Sequence, residues 1–366
     1  MKKIGIDARL LYQTGVGVYL KNLLFYLNKL NPKNINFIVY VLKKDLKKVS
    51  EKFKNLSFIG IDAKWHTFSE QISFLQDLLK DDLDLMHFTY FSFPILYNRK
   101  YISTIHDTTL LSYKTGKAST KSNIVYNFKH CVFKRMFYKQ VKKSLAIITP
   151  TETVKKQIIK LVKGVQSAKI YPIYEGVTRE YLNISKNKND KKVGEDYFLY
   201  VGTFYPHKNI DTLLKAYLRL KTDIKLYLVG PDDFFAKRLM ILIDKFNLKS
   251  KVKIIKNVSQ DKLPDLYRGA IALVHPSKSE GFGLPIIEAV YFKLPIIASN
   301  IDVFKEILGN KYINFDPKDV NDIKNKLQSF IKNRSFFDYK DILNKFSFEK
   351  MTNQTFSIYM NVLKIK

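Results

Sequence analysis

The sequence predicts an α/β protein made of two doubly wound parallel-sheet domains in tandem. Two observations carry that reading. Short apolar runs alternate with stretches of helical period along the whole chain, the pattern of parallel strands covered by helices on both faces. The alternation breaks once, over residues 183–196, which are rich in Lys and Asn and nearly free of apolar side chains, and then restarts. A length of 366 residues gives each half room for its own core, with no call for disulfides or structural metals.

The elements follow in order. Ile4-Gly5-Ile6-Asp7 reads as the first strand, and Thr14-Gly15-Val16-Gly17 as a turn into a helix that runs through Leu27. Further strands are expected at 37–42, 58–61, 85–88, 102–105, 145–149 and 169–174. After the interruption, strands are expected at 197–201, 225–229, 252–255, 271–274 and 295–298, with helices over 210–220 and 284–292. This sets a first domain at 1–182, a linker at 183–196, a second domain at 197–345 and a terminal helix in 346–366. In open sheets of this kind ligands sit outside the carboxyl ends of the strands, and two such domains facing one another would make a deep cleft.

Composition narrows the function only in part. The chain is 46% hydrophobic and 26% charged, which excludes a wholly disordered protein. One cysteine, Cys131, excludes an internal disulfide and fits a reducing compartment. No apolar stretch reaches roughly 18 residues, and Asp7 and Arg9 interrupt the region that a signal peptide behind Met1-Lys2-Lys3 would need. A cytoplasmic protein is expected. The formal charge is +30, from 63 Lys and Arg against 33 Asp and Glu. Such a balance favours polyanionic partners. Lys, Asn, Ile, Phe and Tyr are abundant throughout, however, so a compositional bias explains the charge equally well.

Four segments carry chemistry. The first is Pro276-Ser277-Lys278-Ser279-Glu280-Gly281-Phe282-Gly283-Leu284-Pro285-Ile286-Ile287-Glu288-Ala289, directly behind an apolar strand. Gly281 and Gly283 permit a tight turn, and Pro285 suits a first helical turn. A helix starting near Gly283 aims N–H groups and a positive dipole end at an anion. Glu280 and Glu288 bracket that start with carboxylates suited to sugar hydroxyls. The segment also fits an ordinary capped strand–turn–helix. The second segment, Val201-Gly202-Thr203-Phe204-Tyr205-Pro206-His207-Lys208-Asn209, places Lys208 in the connection after a strand, where an ammonium can hold a diphosphate or simply be solvated. The third is the glycine pair Gly15 and Gly17. The fourth, Ser103-Thr104-Ile105-His106-Asp107, puts His106 at a strand end, with Asp107 placed to orient its imidazole.

Taken together, these strings resemble retaining GT-B glycosyltransferases, specifically the mannosyltransferase-like members of glycosyltransferase family 4. The first matches the family's Glu-x7-Glu signature, the second its Val-Gly-x5-Lys pattern, the third its Gly-x-Gly-x-Tyr loop and the fourth its Thr-x-His-Asp segment. Ile148-Thr149-Pro150-Thr151-Glu152-Thr153, Glu175-Gly176-Val177 and Phe346-Ser347-Phe348-Glu349-Lys350 match further landmarks, the last at a helix that crosses back to the first domain. The resemblance implies a first domain on the acceptor side and a second that binds a nucleotide sugar. It implies that Glu280 contacts the transferred sugar, Glu288 the ribose and Lys208 the diphosphate, with His106 beside the sugar. Gly15, Gly17, Gly202, Thr203, Phe282, Gly283 and Leu284 would line the donor site, supported by Asp107 and His207. The departures are Val18 and Thr203, where relatives often carry arginine, and His207, where they carry a second cation.

No cofactor is expected beyond the nucleoside diphosphate sugar, GDP-mannose or a UDP-hexose. No metal is expected either: Asp82-Leu83-Asp84 has the Asp-x-Asp spacing of metal-dependent transferases but reads as the polar entrance to a strand, with Lys208 and the helix terminus neutralising the diphosphate. The acceptor implied is a glycan or lipid-linked glycan of a surface polysaccharide. Residues 113–143 contain basic residues interleaved with aromatics and no Asp or Glu, which suits an anionic membrane surface at the inner face. Val125, Phe128, Val132 and Met136 form the apolar stripe of a helix there, with Phe137 and Val141 pointing elsewhere. No recognisable nucleic-acid module is present, so no nucleic-acid partner is expected. A GT-B sugar-nucleotide epimerase and a non-catalytic relative remain the alternatives.

Overall fold

The computed structural model describes residues 1–113, 123–182, 184 and 195–365, and of 123–126, 128 and 129 the backbone alone. Most of the expected linker and Lys114, Lys117 and Lys121, with the side chains of Val125, Tyr126, Phe128 and Lys129, therefore lie outside the described residues. The chain forms two compact units. Of the described residues, the first contains 1–111, 123–175 and 347–365, and the second 112–113 and the rest up to 346. Residues 176–182 thus group with the second unit, where Tyr181 packs against Phe292 at 5.7 Å between ring centroids.

The first unit holds a seven-stranded sheet of β1 (Lys2–Asp7), β2 (Ile35–Leu42), β3 (Ser57–Ile61), β4 (Leu85–Phe88), β5 (Tyr101–Thr104), β6 (Ile147–Thr149) and β7 (Ile170–Pro172), in the order β3-β2-β1-β4-β5-β6-β7. Every pairing is parallel, and the central strands β4, β5 and β6 are buried on both faces and read as continuous apolar runs, while the edge strands β3 and β7 are partly exposed. Helix Val16–Leu30 starts at the glycine turn and runs one turn past the expected end. Thr151 caps helix Glu152–Leu161 by accepting from the Val154 N–H at 3.2 Å. Ser347 likewise caps the terminal helix Phe348–Leu363. That helix is tied to the sheet by Tyr359, whose hydroxyl lies 2.7 Å from His87 Nδ1. Asp84 accepts from the Lys3 N–H and from Lys2 Nζ, which fixes the entrance to β4 against the start of β1.

One expectation fails in this unit. Helix Asn123–Lys143 faces the core with Phe137, Gln140 and Val141, while Val132 is 41% exposed. The shared core of Phe91, Ile105, Phe137, Val141 and Ile147 selects the face with the larger flat rings, not the aliphatic stripe. Leu145, expected at the start of β6, is exposed ahead of it.

The second unit holds β8 (Tyr197–Val201), β9 (Lys225–Gly230), β10 (Val252–Lys256), β11 (Ala272–His275), β12 (Ile296–Ser299) and β13 (Ile313–Phe315), all parallel, in the order β10-β9-β8-β11-β12-β13. The short edge strand β13 has no counterpart among the expected strands; three residues leave too little periodicity to detect. The core is built from both sheet faces and helices Ile210–Leu218, Phe234–Lys245 and Val320–Lys332. Asp233 and Asp319 cap the last two.

Candidate functional site

In the second sheet the strand order reverses between β8 and β11, which lie side by side. The loops leaving their carboxyl ends carry the two motifs, so topology alone brings residues 202–208 beside 276–283. Gly202 adopts φ 150°, and a Cβ there would sit 2.9 Å from Tyr200 Oη. Tyr200 donates its hydroxyl to the Thr203 carbonyl at 2.6 Å, fixing the loop at its start. Asn209, in the left-handed region at φ 62°, donates its amide to the carbonyls of Pro276 and Pro317 at 3.0 and 2.7 Å. The Lys278 N–H donates to the His207 carbonyl at 2.8 Å. The two loops are therefore stapled at two points.

Held this way, Lys208 donates to both oxygens of Glu280, at 2.7 and 2.8 Å. A third group, His275 at the end of β11, meets Glu280 Oε1 through its Nε2 at 2.9 Å. Burial alone would raise the Glu280 carboxyl, but Lys208 and the His275 hydrogen bond outweigh it and hold the group well below the usual carboxylate range. His207 is buried, and desolvation together with Lys208 pushes it down to about 4. It is therefore neutral at pH 7 and supplies no second cation.

Gly283 adopts φ 89° at the start of helix Leu284–Tyr291, and a Cβ there would press on the Phe304 ring at 3.0 Å. Pro285 has no N–H and the Ile286 N–H donates to the Gly283 carbonyl, so among the described residues the Leu284 amide is this terminus's donor. Phe282 turns inward, is buried, and packs edge-on against Phe346 at 5.7 Å. One turn into the helix, Glu288 is buried and accepts from the Tyr267 hydroxyl at 2.6 Å. Desolvation, only partly offset by that hydrogen bond, raises Glu288 to about 7.

In the first unit, Gly15 adopts φ 70° with open space where a Cβ would lie, whereas a Cβ on Gly17 would sit 2.6 Å from the Leu11 carbonyl oxygen. Gly15 is thus a conformational requirement and Gly17 a packing one. His106 sits beyond β5, its Nε2 3.0 Å from the Thr89 carbonyl and its Nδ1 3.3 Å from Glu175 Oε1. Tyr19 meets the ring edge-on at 4.8 Å. Asp107 does not orient this imidazole: its Oδ1 accepts from the Thr109 N–H at 2.7 Å and closes the turn into the next helix. Glu175, from the end of the unit, takes the place that adjacency in sequence suggested for Asp107.

Residues 183–346 match the family described as Glycosyl transferases group 1. The O-antigen chain mannosyltransferase RfbU of Salmonella typhimurium is 34% identical over 274 residues, 74% of this chain and 70% of that protein. The chain belongs to the group 1 glycosyl transferases. O-antigen chain mannosyltransferase B of Escherichia coli is 32% identical over 45% of this chain and 46% of its own length. Among solved structures, a sucrose-phosphate synthase from Thermosynechococcus elongatus superposes with a TM-score of 0.78 at 18% identity, covering 100% of both chains, which shows the GT-B fold.

Within this glycosyltransferase the structure brings Gly202, Thr203, Lys208, Glu280, Gly283 and Leu284 to one end of one sheet, with Glu288 a turn further on. Four residues that share these sites were absent from the expected set: His275, Asn209, Tyr267 and Glu175. His275 left a trace, a histidine closing an apolar strand five residues before Glu280. Tyr267 left none, because nothing in its own segment points to a carboxylate 21 residues away.

Proposed function

We propose that the chain is a retaining family 4 enzyme that moves a mannosyl group from GDP-mannose to a glycan or lipid-linked glycan hydroxyl in surface polysaccharide synthesis. UDP-hexoses are the second donor class to test. One observation carries the reading: Lys208, Glu280 and Glu288 gather at the switch point of a single parallel sheet, a cation and two carboxylates beside a helix start. A diphosphate sugar asks for that combination. The names of the two mannosyltransferase relatives favour mannose as the sugar.

In this reading Lys208 and the Leu284 amide stabilise the departing diphosphate, with no metal or other cofactor required. Glu280 takes sugar hydroxyls and Glu288 the ribose. His106, its ring fixed by Thr89 and Glu175, serves the transferred sugar as the resemblance implies. The bond between the anomeric carbon and the diphosphate oxygen breaks with its electron pair on the diphosphate. The acceptor oxygen bonds to the same face, and its proton leaves with the diphosphate.

We also infer peripheral attachment to an anionic membrane at the cytoplasmic face. Lys134, Arg135, Lys139, Lys142 and Lys143 are all exposed on helix Asn123–Lys143. No helix among the described residues is long and apolar enough to cross a membrane.

A thermal-shift panel of GDP-mannose, UDP-glucose, UDP-galactose, GDP and UDP tests the donor, because a ligand of the folded state raises Tm. A rise with GDP-mannose above that with GDP is expected, and the anomeric configuration of the product, read by NMR, should match the donor's. Normal turnover by Glu288→Ala at low donor concentration would overturn the assignment. Co-sedimentation with phosphatidylglycerol vesicles but not with phosphatidylcholine vesicles checks the membrane reading.

A further inference from the structure

The cation meant for a diphosphate is already spent on Glu280 in the free protein. Lys208 Nζ touches both carboxylate oxygens, and the two side chains are only 17% and 10% exposed. A diphosphate that draws Lys208 away would strip Glu280 of its counter-charge inside a poorly solvated pocket, where a lone carboxylate takes up a proton. His275 holds Glu280 through a contact that does not depend on Lys208. Its ring is stacked on Tyr200 at 5.5 Å and 23°, and the Phe304 ring meets it edge-on at 5.5 Å. These contacts pack the ring on two sides. Its Nδ1 is buried without a hydrogen-bond partner, while Nε2 lies 2.9 Å from Glu280 Oε1. A carboxylate only accepts, so the proton of a neutral His275 resides on Nε2.

We infer that His275 is a positioning residue: its Nε2–H keeps Glu280 ionised and aimed when Lys208 turns from the carboxylate to a diphosphate. The inference rests on the proposed role of Glu280 but is tested apart from it. The charged and titratable groups facing the pair are Lys208, His207 and Tyr200, and none of them replaces the contact. His207 is neutral, its Nδ1 is buried and unpartnered, and Tyr200 donates its hydroxyl to the Thr203 carbonyl.

The substitution Lys208→Met imitates the withdrawn lysine. With side-chain 13C-labelled Glu, the Glu280 carboxyl of Lys208→Met should remain ionised at pH 7. In Lys208→Met/His275→Phe, which keeps the stacked ring and loses the donor, it should take up a proton near neutrality. In Lys208→Met/His275→Gln the carboxamide N–H restores the ionised signal. If Glu280 is protonated at pH 7 in Lys208→Met, or ionised equally in the Phe double variant, the inference is wrong. Should the double variants fail to fold, the unmodified protein decides: 15N-imidazole spectra must show His275 as the Nε2–H tautomer, without titration between pH 5 and 8. An Nδ1–H tautomer or a titrating ring overturns the inference. The functional reading is tested separately by Glu280→Gln. Undiminished GDP-mannose turnover in that variant would sink the proposed function and leave the carboxyl titration standing.

Discussion

Tyr267 donates its hydroxyl to Glu288 at 2.6 Å, and its ring lies flat on Phe292 at 5.5 Å and 14°. An aromatic stack therefore sets the direction of a buried carboxyl group at the candidate ribose site, and burial sets its charge. This relationship makes the protein's stability depend on pH in a stated direction.

Glu288 is raised from 4.5 to about 7 in the folded protein. Between those values the native state holds a proton that the unfolded chain has lost. The contribution is full below pH 4.5 and disappears as pH rises through about 7, a difference of roughly 3 kcal/mol at most. Urea unfolding at pH 5 and pH 8 should show that Glu288→Gln removes most of this decline. Tyr267→Phe should push the carboxyl higher still and weaken GDP binding at pH 7, as calorimetry would show.

Acid acts through other groups. Burial lowers His87 to about 3, and His66 and His207 to about 4. Below pH 6.5 the unfolded chain takes up protons that these native rings refuse, so stability falls as pH drops from 6.5 towards 3. The depressed Glu280 carboxyl adds to the loss as pH falls below the ordinary glutamate value. His87→Gln should move the acid-unfolding midpoint, followed by circular dichroism, to lower pH than in the unmodified protein.

The two glycines of the first loop should separate under substitution. Gly17→Ala drives a methyl group into the Leu11 carbonyl and should cost about 2–3 kcal/mol by denaturant unfolding. Gly15→Ala meets no atom and carries only the cost of holding a Cβ-bearing residue at φ 70°, ψ −82°, about 1–3 kcal/mol. A larger loss for Gly15→Ala would show that its surroundings are tighter than described.

A buried ion cluster gives the fourth test. Arg9 donates to Asp7 Oδ2 and Glu70 Oε1, both at 2.6 Å, and lies over the Phe74 ring at 4.0 Å. Arg9→Met leaves two buried carboxylates facing each other and should cost about 3–5 kcal/mol. The triple replacement Asp7→Asn, Arg9→Met, Glu70→Gln should recover part of that loss, measured by urea unfolding.

Much of the architecture was legible because parallel strands announce themselves as apolar runs. The glycines and the two glutamates were legible because turns and helix starts constrain residue type locally. Partnerships across the sheet were not. Glu175 reaches His106 from 69 positions away, and Tyr267 reaches Glu288 from another helix, so neither adjacency nor period could show them. Helix Asn123–Lys143 was misread for a related reason: several of its faces carry apolar side chains, and only the shape of the neighbouring core selects Phe137 and Val141. The depth at which His207 is buried was not legible either, since nothing in its segment shows what packs over it.

The Asn209 amide N–H groups grip two main-chain carbonyls, while its Oδ1 accepts from the Thr212 hydroxyl at 2.7 Å. Its hold is therefore indifferent to which residues supply them. A substitution at 276 or 317 that keeps the local backbone would leave both carbonyls in place, and the same amide would still hold the Lys208 loop against the Glu280 loop.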